Sequence, residues 1–204
     1  MAERRTPRQD RRRKAIVETA QTAFLRDGYG ATTMSAIAAE LGGSKTTLWS
    51  YFPCKQDLFV AVVDEMIERY GDALRLDLAA DLPLAEGLTL YGTTVMRTIT
   101  RPQIVALHRM IAAEAGRTPQ LGRILWKRGG ARGQQLGADW LAEKMARGEM
   151  RQADPLAAAR QFIGMCQADS FFRHLIGAAS RPTAKTISAE VAESVALFTA
   201  AYAV

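Results

Sequence analysis

The stretch GGSKTTLWSYFPCKQDLF, residues 42–59, decides the fold of this chain. Two glycines precede a serine that can cap a helix, and the proline further on excludes helical geometry from the residue before it. Leu48 and Phe52 are four residues apart and so share one face of the short helix between these signals. Lys45 and Trp49 share another face. The pattern predicts a short helix with one apolar face and one face of polar and aromatic side chains.

A second short helix directly precedes this one. Thr33 is a good N-cap, and Ile37, Ala38 and Leu41 would form its inward face. Two short helices joined by a tight turn predict a helix-turn-helix, whose second helix enters the major groove of DNA. Short threonines can meet base edges, while indole, phenol and ammonium donors can reach phosphate. The predicted DNA-binding residues are Thr33, Ser35, Ser44, Lys45, Thr46, Thr47, Trp49, Tyr51 and Lys55. The alternative is a helical hairpin whose aromatic side chains pack into a neighbouring domain.

Positive charge is crowded before the first apolar helix. Residues 1–14 contain two acidic residues, Glu3 and Asp10, and seven basic residues: Arg4, Arg5, Arg8, Arg11, Arg12, Arg13 and Lys14. A basic arm over residues 1–14 suits contact with phosphates, and the alternative is a solvated, frayed terminus.

The rest of the chain also has helical periodicity and no strand-like alternation. The predicted fold is all-α, with three short N-terminal helices over residues 15–54 as a DNA-binding domain. A helical bundle for ligand binding and dimerisation follows over residues 55–204. Its predicted helices cover residues 55–80, 84–100, 102–116, 119–147 and 155–176, and a last helix carries Ile187, Val191, Val195, Phe198 and Tyr202 on one side.

Composition narrows the class of protein. The chain has 204 residues, of which 48% are hydrophobic, and a formal net charge of +6. It shows no apolar run long enough for a membrane span and no signal-peptide pattern, and two unpaired cysteines suit a reducing cytoplasm. Two histidines and two cysteines make a zinc site unexpected, and no cofactor is predicted. Paired carboxylates, a phosphate loop and a nucleophile–base arrangement are not evident, so no enzyme is predicted.

Residues 16–60 resemble the DNA-binding region of the TetR family of transcriptional regulators. The resemblance rests on Ala20, Phe24, Gly28-Tyr29, Thr33, Ile37-Ala38, Gly42, Ser44-Lys45, Leu48, Phe52, Lys55 and Leu58. It implies three helices for DNA and a helical bundle for ligand and dimer contacts, usually in a homodimeric repressor that a small molecule releases. The chain departs from the family pattern at Trp49, where tyrosine is usual, and at Cys54, which is a weaker cap than serine.

The second half is similar to an AefR-like regulatory domain over residues 104–177. The similarity rests on Glu114-Ala115, Thr118-Pro119-Gln120-Leu121, Arg147-Gly148-Glu149, Asp154-Pro155 and residues 157–162. It implies the same architecture and leaves the inducer open.

A ligand cavity in such a bundle would be mostly apolar with a few polar anchors. The predicted ligand-binding residues are Tyr70, Tyr91, Met96, His108, Ile111, Trp126, Phe162, Met165 and Asp169, with Met110 nearby. Each of them also fits the simpler interpretation of a core residue.

The resemblance places the dimer contact in the last two helices, where apolar and small residues alternate. These are Ala157, Ala158, Ala159, Phe162, Ile163, Val191, Val195, Phe198 and Tyr202. A two-fold dimer would set two reading helices about one DNA turn apart and require an inverted-repeat operator. Cys54 beside Lys55 at a helix start also raises the hypothesis of a redox switch, against that of a tolerated small residue.

The sequence therefore predicts a homodimeric transcriptional repressor that binds double-stranded operator DNA and is released by a small apolar or amphipathic inducer. The alternatives are a DNA-binding protein of the same fold without an inducer, such as a division or nucleoid factor, and an all-α carrier or enzyme. Activation instead of repression stays open.

Overall fold

The computed structural model describes residues 6–42 and 44–204. Within these ranges the chain is helical and contains no strand, which confirms the predicted all-α class. The helices are α1 (Pro7–Asp27), α2 (Met34–Glu40), α3 (Lys45–Tyr51), α4 (Lys55–Tyr70), α5 (Leu84–Ile99), α6 (Pro102–Glu114), α7 (Gln120–Leu125), α8 (Ala131–Ala146), α9 (Pro155–Cys166), α10 (Ser170–Leu175) and α11 (Ala184–Tyr202). None of these helices is long and apolar enough to cross a membrane.

Helix α1 begins earlier than the sequence predicted. The Thr6 hydroxyl accepts a hydrogen bond from the backbone N–H of Gln9, and the Gln9 side chain accepts one from the N–H of Thr6. This capping box satisfies two free donors of the first turn, and Pro7 suits the first helical position. Residues 7–14 of the predicted basic arm are therefore the first two turns of a helix, and α1 is not short. Arg4 and Arg5 lie outside the described residues.

The chain forms two compact units. The first contains the described residues up to Glu68 together with Met110–Leu125. Its core includes Ile16, Ile37 and Leu48, one from each of the first three helices, and all three are buried. Gly28 ends α1 with a φ of 84° and Gly42 makes the turn after α2 with a φ of 61°, values that glycine adopts without strain. We call this unit the reading head.

The second unit contains Arg69–Arg109 and Trp126–Val204, and we call it the regulatory unit. Helices α5, α8, α9 and α11 pack around aromatic side chains in its core. The ring of Tyr91 stacks on that of Phe162 with centroids 6.0 Å apart, and its hydroxyl donates to the carbonyl of Gly133 at 2.9 Å. Burial raises the pKa of Tyr91 far above its ordinary value, so the phenol stays neutral.

The regulatory unit itself covers most of the side chains predicted for the dimer contact. Phe162 and Val191 are fully buried, and Val195, Phe198 and Tyr202 are nearly so. The sequence pattern therefore identified an inward stripe on α9 and α11. The outer side of the same helices carries further residues and a groove that Phe198 and Tyr202 also line, as described below.

Three predicted helices are shorter or interrupted. The helix from Lys55 ends at Tyr70 and is followed by a single 3-10 turn, Asp72–Leu74, not by further helix to residue 80. The predicted 119–147 helix is divided by a π-helical turn, Trp126–Gly130, where two adjacent glycines weaken the helix. The predicted 155–176 helix breaks between Cys166 and Ser170.

The irregular segment over residues 75–83 is held down by side chains of α8. The indole N–H of Trp140 donates to the carbonyl of Ala79 at 3.1 Å, and the Lys144 ammonium donates to that of Ala80 at 3.1 Å. Lys144 is fully buried and also pairs with Glu149 at 2.7 Å. Arg147, on the loop after α8, is a second donor to the Ala80 carbonyl at 2.7 Å. These contacts satisfy carbonyls that no regular secondary structure satisfies.

We expect Lys144→Met to lower the free energy of unfolding by about 1 kcal/mol, because methionine keeps the apolar stem and loses the hydrogen bonds. The partly exposed Glu149 can turn to water, which limits the loss. Urea denaturation would measure the change, and hydrogen exchange would locate it in residues 76–82. Lys127→Met removes an exposed lysine and should change neither. Equal exchange of residues 76–82 in wild type and Lys144→Met would contradict this role.

Candidate nucleic-acid interface

Helices α2 and α3 form the predicted helix-turn-helix, and hydroxyl groups begin both. The Thr33 side chain accepts from the N–H of Ala36 at 3.1 Å at the start of α2. At the start of α3, the Ser44 side chain accepts from the N–H of Thr47 at 3.2 Å. The hydroxyl oxygens of Ser44 and Thr47 are 2.9 Å apart. Both N-caps agree with the sequence prediction. Their hydroxyls already have an intramolecular partner, so their first role is to fix the helix starts.

The outward face of α3 carries the side chains that remain free for a partner. Lys45, Thr46 and Trp49 are exposed, and the exposed fraction of Trp49 is 39%, which is unusual for so large an apolar ring. Leu48 on the opposite face is buried in the reading head. Thr47, Tyr51 and Ser35 are half-buried. The short helix thus has the two faces that its sequence predicted.

Lys55 has a different geometry from the one predicted. Its ammonium donates to the carbonyls of Tyr29 and Thr32 at 2.8 and 2.9 Å and lies 4.3 Å from the centroid of the Tyr29 ring. Desolvation lowers the pKa of Lys55, and the carboxylate of Glu114 opposes that shift. The side chain therefore points into the reading head and holds the turn between α1 and α2. The sequence had instead predicted that it would contact DNA.

The first turns of α1 extend the basic surface of the reading head. The Arg13 guanidinium lies 5.2 Å from the centroid of the Phe52 ring, which anchors the extension to the residue after α3. Arg8, Arg11 and Lys14 are exposed. The structure thus presents these three charges on a helix and not on a flexible arm.

Cys54 is exposed before α4, and its thiol donates to the carboxylate of Asp57 at 3.3 Å. The redox hypothesis relied on Lys55 as a cationic neighbour that favours the thiolate. The Lys55 ammonium is directed to backbone carbonyls instead. Lys55 therefore does not provide the cationic neighbour on which the redox hypothesis for Cys54 depends.

Three of the predicted ligand-binding side chains fill the core of the regulatory unit. Tyr91, Met96 and Phe162 have at most 1% of their surface exposed. Met165 is half-buried and lines an open groove of about 490 Å³ on the outer side of α9 and α11. The other residues that line this groove are Gln161, Gly164, Ala168, Leu197, Phe198, Ala201 and Tyr202.

The remaining candidates lie elsewhere. Tyr70 is half-buried beneath the guanidinium of Arg101, and Trp126 is 54% exposed. Asp169 is exposed and pairs with Arg173 at 3.3 Å, and Ile111 is buried in the reading head.

His108 lies at the side of the regulatory core. Its Nδ1 is 2.8 Å from the carbonyl of Ile104, and its ring meets that of Phe171 edge-on with centroids 6.3 Å apart. Desolvation lowers the pKa of His108, and the Ile104 hydrogen bond partly offsets the shift. The neutral imidazole is thus the form that this environment favours. Among the residues described, no group of acidic, histidine and cysteine side chains has the arrangement of a metal site.

A reading head with a helix-turn-helix, continued by a larger helical unit, defines the class of DNA-binding transcriptional regulators with a regulatory domain. Comparison with protein families agrees. The family described as "Bacterial regulatory proteins, tetR family" matches residues 16–62, and that of the "AefR-like transcriptional repressor, C-terminal domain" matches residues 86–204. The chain therefore belongs to the TetR family of transcriptional regulators. Both predicted resemblances are confirmed, and the members of this family are regulators and not enzymes.

Individual relatives are more distant. The HTH-type transcriptional regulator RutR of Escherichia coli K12 is 34% identical over 74 residues, which cover 36% of this chain and 35% of RutR. The nucleoid occlusion factor SlmA of Cronobacter sakazakii is 29% identical over 125 residues, 61% of this chain and 55% of SlmA. The flavonoid-responsive regulator FrrA, whose structure is solved, is 29% identical to this chain in sequence, with a TM-score of 0.85. The match covers 95% of this chain and 98% of the FrrA chain. The curated relatives are thus matched over only about a third to a half of their length.

Sequence reasoning missed two residues of the reading head. Glu114 was noted only as part of the AefR-like similarity, yet its carboxylate accepts from the backbone N–H of Gly30 at 3.1 Å. Arg13 was counted with the basic arm, yet it packs on Phe52. Nothing in the local sequence signals a contact between residues 84 positions apart.

Proposed function

We propose that the chain is a ligand-responsive, cytoplasmic repressor that binds an inverted-repeat operator as a homodimer and is released by a small apolar or amphipathic inducer. The outward face of α3 carries this proposal. It combines an exposed ammonium, hydroxyl and indole on a helix whose other face is buried, which is the arrangement that a major-groove reading helix needs.

The outer side of α9 and α11 supports the homodimer. Leu197 is 57% exposed there, beside Gly164, Ala168 and Ala201, whose small size permits close approach of a second helix pair. An isologous contact along this groove would use the same residues twice, as a two-fold dimer requires. Phe198 and Tyr202 of the predicted stripe also line this groove, whereas Phe162 and Val191 are buried within the regulatory unit itself.

The matched regulatory family supports repression, and one structural neighbour supports a small inducer. The matched regulatory family is named for a repressor, and FrrA is named as flavonoid-responsive. A flavonoid is planar, aromatic and amphipathic, which fits the class of inducer predicted here. Because Tyr91 and Phe162 fill the core, an inducer would bind a minor, opened arrangement of the regulatory unit and increase its population. Helix α4 would carry that change, since it begins in the reading head at Lys55 and its last two residues belong to the regulatory unit.

A second candidate is a DNA-binding factor without an inducer. The similarity to SlmA, which is named as a nucleoid occlusion factor, and the filled core of the regulatory unit both favour it.

The deciding experiment is fluorescence anisotropy with DNA from upstream of the chain's own gene, with scrambled DNA as the reference. Preference for the upstream DNA, lost on addition of one member of a flavonoid panel, is the expected result. Preference that no compound of a broad small-molecule panel relieves would favour the second candidate. Equal affinity for both DNAs at every salt concentration would contradict sequence-specific regulation through this site.

The α1 extension gives a quantitative prediction. We expect the triple variant Arg8→Gln, Arg11→Gln and Lys14→Gln to reduce the slope of log affinity against log salt by about 2–3, because each lost phosphate contact removes about 0.9. Glutamine keeps the helix, since its propensity is close to that of arginine and lysine.

The matched control removes three exposed cations from the regulatory unit: Lys127, Arg132 and Lys185. Glutamine at those positions gives the same net charge and should leave the salt slope unchanged. Equal slopes for both triple variants would show that the α1 charges act only through net charge.

A further inference from the structure

The turn between α1 and α2, residues 28–33, is held by opposite charges from two helices. Glu114, the last residue of α6, accepts the hydrogen bond from the N–H of Gly30 at 3.1 Å. Lys55, the first residue of α4, donates to two carbonyls of the same turn, at 2.8 and 2.9 Å. In this turn, these two side chains therefore pair backbone N–H and C=O groups that a helix would pair internally.

The Glu114 contact is close, and a side chain at position 30 would displace the carboxylate. A methyl carbon on Gly30 would lie 2.5 Å from the Glu114 carboxylate oxygen, well inside van der Waals contact. Glu114 is half-buried, so water competes only partly for its carboxylate. A hydrogen bond from a backbone N–H to an ionised carboxylate is among the stronger kinds.

The held turn leads directly into the helix-turn-helix. Thr33 ends the turn and is the N-cap of α2, so a shift of the turn would displace the start of α2 and the α3 helix packed on it. Helix α6 begins in the regulatory unit and ends at Glu114 in the reading head. The carboxylate is thus the end of a helix that both units share.

We infer that Glu114 is a positioning residue for DNA binding, which holds the 28–33 turn in the arrangement that presents α3. The inference rests on the proposed function, and it adds a residue that touches no DNA. It also predicts a chemical requirement: an oxygen acceptor at the full length of a glutamate side chain.

Three substitutions test this requirement. Glu114→Ala removes the acceptor, and Glu114→Asp withdraws it by about 1.5 Å, one carbon–carbon bond. Glu114→Gln keeps an oxygen acceptor at the same distance. We expect operator affinity to fall about tenfold in the alanine and aspartate variants, as for loss of one charge-assisted hydrogen bond. The glutamine variant should stay within about threefold of wild type, since its hydrogen bond is neutral and weaker.

A role in net charge alone gives the opposite pattern. Removing a negative charge from a DNA-binding unit would strengthen binding, equally in the alanine and glutamine variants, while aspartate would behave as wild type. That pattern would overturn the inference. Glu143→Ala, which removes an exposed glutamate from α8, sets the size of this charge effect.

Hydrogen exchange of the Gly30 amide separates the inference from the proposed function, because it needs no DNA. Faster exchange at Gly30 in Glu114→Ala, with an unchanged melting temperature, would show that the carboxylate holds the turn. Unchanged exchange would overturn the inference whatever the DNA results. A loosened turn with unchanged affinity for an operator that wild type prefers would overturn it as well.

Discussion

Operator affinity is expected to fall about 100-fold when Lys45 and Trp49 are both replaced by alanine. Both side chains lie exposed on the outward face of α3, and neither contributes to the buried core of the reading head. Each would donate to a phosphate, and at an exposed surface we take the lower value for a hydrogen bond to a charged group, about 1.5 kcal/mol, so two losses give roughly two powers of ten. Fluorescence anisotropy at fixed salt would measure the change.

The chain offers a matched control for this variant in the regulatory unit. Trp126 and Lys127 are adjacent and exposed, so their replacement by alanine removes the same two residue types and the same charge. Operator affinity without inducer should stay within about twofold of wild type there. A loss of the same size in both double variants would mean that the α3 face has no special part in binding. Melting temperatures of both variants should stay near that of wild type.

Gly137→Ala is expected to destabilise the regulatory unit by about 2–3 kcal/mol, as overpacking of a filled core does. A methyl carbon at Gly137 would lie 2.6 Å from Cζ of Tyr91 and 2.7 Å from its hydroxyl oxygen. The ring has nowhere to move, because it stacks on Phe162 and its hydroxyl is bonded to Gly133. Urea denaturation followed by circular dichroism would measure the loss.

Gly133→Ala, one turn earlier on the same helix, is the control for this change. Its methyl carbon would meet Leu74 at 3.4 Å, an ordinary contact, and alanine favours helix over glycine. This variant should therefore be neutral or more stable by up to about 1 kcal/mol. If both alanine variants were equally stable, the close fit of Tyr91 against α8 would not limit the stability of the regulatory unit.

Much of the fold could be predicted from the sequence because its signals are local. Thr33 and Ser44 accept hydrogen bonds as N-caps, as predicted, Asp154 caps α9 in the same way, and Gly28 and Gly177 have the positive φ of helix ends. Interruptions inside long apolar runs could not be predicted. The break after Tyr70 and the π-helical turn from Trp126 lie at a single glycine and a glycine pair, and a helical pattern can tolerate such glycines.

In the candidate site, too, some features could be predicted from the sequence and others could not. The two faces of α3 follow from its sequence, since Leu48 is buried while Lys45 and Trp49 are exposed. The direction of Lys55 does not, because its carbonyl partners lie 23 and 26 residues away. An apolar stripe also does not show whether it faces the chain's own core or a partner: Phe162 and Val191 lie in the core, while Phe198 also lines the outer groove.

The glycines of the regulatory unit also have a mechanical consequence. Gly92 lets Phe162 and Val191 approach α5, and Gly137 lets Tyr91 approach α8, so rings from neighbouring helices rest directly on helix backbone. Sliding one of these helices along another would press a ring into a main chain that cannot yield. The four-helix core should therefore behave as a stiff block, and strain applied to it should relax at its irregular edges, residues 75–83 and the turn from Trp126 to Gly130.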